Sequence, residues 1–160
     1  MNEWHDLFVA TSGSAAALTG LIFVAVSINL DRILSFSRLV DRALLSLVLL
    51  LNILIVSILF LVPGQEQVSM GSEITALSVI TWIIITRIDT VIYRGTSKNY
   101  KTQYRIHLLL NQLAILPYLI AGIMLFTNIE AGTYWIVPGI CSCFVKAIWD
   151  AWILLVEINR

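Results

Sequence analysis

Charge is what this sequence has least of. Only 12% of its 160 residues are Asp, Glu, Lys or Arg, against about 25% in a soluble domain. Apolar residues make up 59%, more than one small core can enclose, so hydrocarbon must surround much of the chain. The ten basic and ten acidic residues cancel, and the basic ones are scattered along the chain. That excludes a nucleic-acid platform. Histidine is just as scarce: His5 and His107 fall at opposite ends of the membrane-crossing pattern and cannot share a haem or a metal. The two cysteines, Cys141 and Cys143, are two residues apart on a helix. They point roughly 200° apart, so they neither bridge each other nor share a metal. There is no H-E-x-x-H, no G-x-S-x-G, no P-loop, no dinucleotide turn and no TVGYG filter. Neither an enzyme nor a bound metal or cofactor is expected.

What is present is a series of long apolar runs. They cover 7–30, 42–62, 74–93, 106–126 and 134–156, each about 20 residues or slightly more. That length crosses roughly 30 Å of hydrocarbon at about 1.5 Å per residue. No short alternating segments suggest a barrel. The expected fold is all-α, a single membrane domain of five transmembrane helices. The first run follows Glu3, His5 and Asp6 and is too long for an h-region, so it is expected to stay as a span.

The loops give a direction. Arg32, Arg38 and Arg42 lie between spans one and two, and Arg94, Lys98, Lys101 and Arg105 between three and four. The connections after spans two and four carry only Glu66, Glu73 and Glu130. With five alternating spans the positive-inside rule places the N-terminus outside and the C-terminus, ending in Arg160, in the cytoplasm. Trp4, Phe8, Tyr134 and Trp135 suit the outer interface. The stretch from Ile33 to Ser37 suits a short amphipathic turn along the inner surface. No internal repeat argues for an inverted-repeat transporter.

Within the spans, polar and small residues fall in stripes. Span one places Ser12, Ala16, Thr19, Gly20 and Ser27 on one face. Ala16-Ala17-Leu18-Thr19-Gly20 is a small-xxx-small pattern that lets helices approach in lipid, so Ser12, Ala16 and Gly20 are expected at a helix contact. Span two is nearly all Leu, Ile and Val and is expected to face lipid, with Asn52 making one interhelical hydrogen bond. Span three carries Arg87 and Asp89, which point to nearly opposite sides. Arg87 shares a face with Thr90 and Arg94 and can snorkel; Asp89 shares one with Ser78, Trp82 and Tyr93. Span four sets Tyr104, His107, Asn111, Ala114, Tyr118 and Gly122 along one face, with Pro117 introducing a kink.

Span five is the most informative. Gly139, Ser142, Cys143, Lys146, Asp150 and Glu157 fall within about one quarter of its surface at ~100° per residue. A Lys or Asp at mid-membrane costs about 2.5–3.5 kcal/mol and therefore faces protein or a water-filled path. Lys146 and Asp150, as an i,i+4 pair, can also neutralise one another. Together these positions predict a polar network or ion path built from Arg87, Asp89, His107, Asn111, Lys146 and Asp150 in the inner half of the membrane.

The stretch Trp4-His5-Asp6-Leu7-Phe8-Val9-Ala10, continuing through Ala15-Ala16-Ala17-Leu18-Thr19-Gly20-Leu21-Ile22-Phe23-Val24-Ala25-Val26-Ser27-Ile28-Asn29, resembles a group of small bacterial membrane proteins. Leu61-Val62-Pro63-Gly64-Gln65 is similar to the same group. The resemblance implies a bacterial inner-membrane location and brings no catalytic residue with it. The functional expectation is a homo-oligomeric channel or small-solute permeation protein. Its rival is a non-transporting regulator or sensor that docks another membrane protein.

Overall fold

The computed structural model describes residues 4–95 and 101–158, leaving out the side chains of residues 37, 38, 95, 101–103, 157 and 158. Arg38, Lys101 and Glu157 are therefore placed by backbone alone, and Lys98 and Arg160 lie outside the described residues. The described residues hold no strand. They form α1 (His5–Ile28), α2 (Leu30–Leu34), α3 (Ser37–Leu61), α4 (Gln67–Gly95), α5 (Lys101–Phe126) and α6 (Gly132–Ile158). All except α2 are long and apolar enough to cross a membrane.

The helix bounds follow the apolar runs to within a few residues, except in α4. This helix starts at Gln67, ahead of the run that begins at Ile74. Gln-Val-Ser-Met-Gly-Ser-Glu is too polar to register as a span yet has no proline, and its single Gly71 is tolerated within the helix. Its 28 candidate residues extend about 42 Å at 1.5 Å each, longer than the hydrocarbon is thick, so α4 must tilt or project beyond it.

The turns are encoded locally. Gly64, after Pro63, takes φ 72° between α3 and α4, a conformation open to glycine. Asn128 takes φ 61° at the end of α5. There its N–H donates to the Leu125 carbonyl (3.0 Å) and the Ile129 N–H to that of Met124 (2.8 Å), a Schellman ending with asparagine in the left-handed position. The stretch expected as a surface turn is α2 followed by an extended Phe36. Ile33 is buried with Leu39, Ala43 and Leu154, while Leu34 and Phe36 are exposed.

The helix expected to face lipid is the central one. α3 packs against α1, α4 and α6 and has the largest share of buried residues among the spans. Its sparse polar residues anchor it on two sides. Ser57 Oγ and Thr11 Oγ1 of α1 are 2.9 Å apart, and Thr81 Oγ1 of α4 donates to Asn52 Oδ1 at 3.1 Å. Hydropathy could not separate these cases, because a helix interior and a lipid-facing surface are equally apolar.

α1 is the peripheral helix, with the smallest buried share, and its packed face is not the expected one. Phe8, Thr11 and Ala15 are buried, and Phe8 stacks on Phe60 at 4.1 Å. Ala16 and Gly20 are exposed, a Cβ on Gly20 would meet nothing within 4 Å, and the Ser12 hydroxyl only caps its own Val9 carbonyl. The rotation has a physical cause: a threonine hydroxyl and a large ring gain more from α3 than a row of small side chains does.

α4, α5 and α6 complete the bundle, α5 packing between the other two. α4 and α5 meet backbone to backbone at Gly122, where a Cβ would lie 2.8 Å from the Thr75 nitrogen. At Gly139 the α6 backbone receives the Tyr118 ring, 2.9 Å from where a Cβ would stand.

Candidate functional site

At the end of the bundle where α3 begins and α4 ends, four helices turn ionisable side chains toward one another. α3 contributes Arg42, α4 contributes Asp89, α5 contributes Tyr104, His107 and Asn111, and α6 contributes Lys146 and Asp150. The local reason is periodicity. On α5 the spacing from Tyr104 through His107, Asn111, Ala114 and Tyr118 to Gly122 keeps one stripe inward, and all are buried except the half-buried His107. On α6 the stripe Gly139, Cys143, Lys146, Asp150 is buried throughout.

Asp89 is completely enclosed, with 0% exposure. The Tyr104 hydroxyl donates to its Oδ1 at 3.0 Å, and the Asn111 amide donates to Oδ1 and Oδ2 at 2.9 and 3.0 Å. One α5 face thus clamps a carboxylate of α4. Lys146 and Asp150, 4% and 2% exposed, form an ion pair one helical turn apart within α6. The formal carboxylates and cations in the group are equal in number: Asp89 and Asp150 against Arg42 and Lys146. Such closure is what a low-dielectric site requires, since each unpaired charge there would cost several kcal/mol.

The space among these side chains is about 10 Å³, room for about one water. A hydrated ion does not fit. Two polar atoms at the site, Asn111 Oδ1 and His107 Nδ1, are buried without a hydrogen-bond partner.

Of the residues expected in the polar network, five line this space and one does not. Arg87 is exposed, on the same outer face as the exposed Thr90 and Arg94. Two residues from Asp89, it is carried about 200° around α4 and cannot turn inward with it. Arg42 occupies the group instead. Sequence reasoning read Arg42 as a loop charge at the mouth of span two, and the missing signal was that α3 starts before it. Tyr104, noted on the α5 stripe, proves to be a direct ligand of the carboxylate. Among the described residues no three or more His, Cys, Asp or Glu side chains are gathered so as to hold a metal.

A second polar pattern lies on the outer surface of α4 and α5, where the Trp82 indole donates to Gln112 and the Gln112 amide donates to Thr86 at 3.2 Å. These side chains satisfy one another where they face outward. No family model matches the chain, and neither the curated proteins nor the solved structures contain a match to it.

Proposed function

We propose that this protein is a non-transporting regulator or sensor embedded in a bacterial inner membrane, with α1 offered to a helix of another membrane protein. The observation that carries the reading is the closure of the ionisable group. The charges that would set selectivity in a channel are spent on one another inside a single chain, around space for about one water. Asp89, Lys146 and Asp150 do not face outward, so a pore formed between copies of the chain would not be lined by them; of the charges expected in the path, Arg87 alone is exposed. The α1 helix supports the docking half of the reading. It leans on the bundle through α3 and leaves Gly13 and Gly20 with open space above them.

The test is flux and contact measured on the full chain. Proteoliposomes should pass K⁺, Na⁺ and Cl⁻ no faster than empty vesicles. A photo-reactive residue at Gly20 should give a discrete heterologous adduct in native membranes, and one at Val145 on α6 should not. Ion flux that changes when Lys146 is neutralised would restore the channel reading. Adducts at Gly20 with lipid alone would remove the partner.

The orientation proposed with this reading is N-terminus out and C-terminus in. It rests on Arg32, Arg42, Arg94 and Arg105 at one end of the bundle and Glu66, Glu73 and Glu130 at the other. Alkaline phosphatase fused after Glu130 should be active and the same enzyme fused after Arg160 inactive; the reverse pattern would invert the topology.

A further inference from the structure

The end of the bundle away from the ionisable group holds the larger cavity, about 500 Å³, within the range of small-molecule sites. It opens where α1, α4 and α6 begin and α3 and α5 end. Its chemistry differs from the rest of the molecule. Four aromatic residues, Trp4, Phe8, Phe60 and Tyr134, stand in its lining together with Gln67, Glu130 and Thr133. Trp4 and Tyr134 meet edge to face at 4.9 Å, and Phe8 and Phe60 stack at 4.1 Å, so the rings form two fixed pairs. Among the described residues, Glu130 is the one lining side chain with a formal charge, and no described Lys or Arg lines the cavity. Gln67 Nε2, also in the lining, is a buried donor without a hydrogen-bond partner and makes no contribution to holding a cation.

Aromatic faces carry negative quadrupole density and attract cations, most strongly where water is thinned. Quaternary ammonium groups need this environment because they cannot donate hydrogen bonds and must be held by π-faces and a nearby anion. A cavity rimmed by the rings of Trp4, Phe60 and Tyr134 with a carboxylate beside them supplies both. Two of the three helix N-termini at this end, which favour anions, are offset by the C-termini of α3 and α5 beside them, and the Glu130 carboxylate outweighs the half-charge that remains.

We infer that this vestibule is a binding site for a small organic ammonium cation, the rings of Trp4, Phe60 and Tyr134 enclosing the alkylammonium, the buried Phe8 backing Phe60 from behind, and Glu130 balancing its charge. The same chemistry is carried by a free cation and by a choline-bearing lipid headgroup. The inference stands on residues separate from the ionisable group and does not depend on the regulatory reading. Tryptophan and tyrosine at a membrane interface also serve as plain anchors; a site differs from an anchor in discriminating charge.

The experiment is radiolabelled choline binding to the full chain in phosphatidylglycerol nanodiscs, with 3,3-dimethylbutanol, its uncharged isostere, as competitor. Saturable binding is expected, with dimethylbutanol at least tenfold weaker. Glu130→Gln and Trp4→Leu should each weaken choline at least fivefold while leaving the melting temperature unchanged. Repeating the measurement in phosphatidylcholine nanodiscs separates the sources: competition by the bilayer assigns the site to a headgroup, and unchanged affinity assigns it to a free cation. Absence of saturable binding to folded protein, equal competition by dimethylbutanol, or full affinity in Glu130→Gln would overturn the proposal.

Discussion

Replacing Lys146 with Met should destabilise the protein by about 3–5 kcal/mol, the cost of leaving one partner of a buried ion pair without the other. Lys146 and Asp150 are almost fully enclosed and joined directly, so water cannot take the place of the missing ammonium. Asp150→Leu should cost a similar amount for the mirror-image reason. The double variant is the informative one. With both charges gone and the volume filled by apolar side chains, stability should return to within about 1–2 kcal/mol of the starting protein, because a buried pair contributes little beyond what it cost to desolvate. Denaturation midpoints in mixed micelles supply all four corners of this cycle. Additive losses in the double variant would mean that each residue is held by other groups. Arg42 lines the same space; if it substituted for Lys146, the single loss would shrink to below about 1 kcal/mol and would reappear when Arg42→Gln is added.

How much of this was readable beforehand depends on which physical signal each feature leaves. Span number is written in apolar run length, which is why five helices appear where five runs lie. The inward stripes of α5 and α6 were equally legible, because 3.6-residue spacing puts Tyr104, Asn111, Ala114 and Tyr118, and likewise Cys143, Lys146 and Asp150, on single faces. What local spacing cannot encode is the rotation of one helix against another. Asp89 and Arg87 are equivalent in sequence terms, one on each side of α4, and only the packed bundle decides that Asp89 meets Tyr104 and Asn111. The central place of α3 was hidden for a different reason. Its Leu, Ile and Val content satisfies lipid and protein alike, and the useful signal was the few residues that lipid cannot satisfy. Ser46, Asn52 and Ser57 are all buried, and two of them bond to neighbouring helices. The small-residue face of α1 was an expectation about contact that the single chain leaves unfilled.

Substitutions at Asp89 should separate charge from hydrogen bonding in the same group. Asp89→Leu removes the acceptor for two donors and the counter-charge for the surrounding cations in one step. The Tyr104 hydroxyl and the Asn111 amide would then both be buried without partners, at about 1–3 kcal/mol for each orphaned group. The formal balance would shift to two cations against Asp150 alone, an uncompensated charge in the core. A loss of about 4 kcal/mol or more is expected, enough to reduce the folded fraction severely. Asp89→Asn should be milder. An asparagine carbonyl still accepts from Tyr104, and the Asn111 side chain can turn so that its Oδ1, partnerless in the native arrangement, accepts from the new amide. That variant isolates the charge. Tyr104→Phe removes one hydrogen bond and leaves the Asn111 clamp in place, and such bonds average about 0.6 kcal/mol in membrane proteins. The expected order of loss is therefore Leu at 89 far above Asn at 89, with Phe at 104 the smallest, read from unfolding midpoints under one set of detergent conditions. Equal losses for Asp89→Asn and Asp89→Leu would show that charge balance alone holds the four helices together. Near-native stability in Asp89→Leu would remove this carboxylate from the structure of the site, and the pairing with α5 would then have no energetic role to explain it.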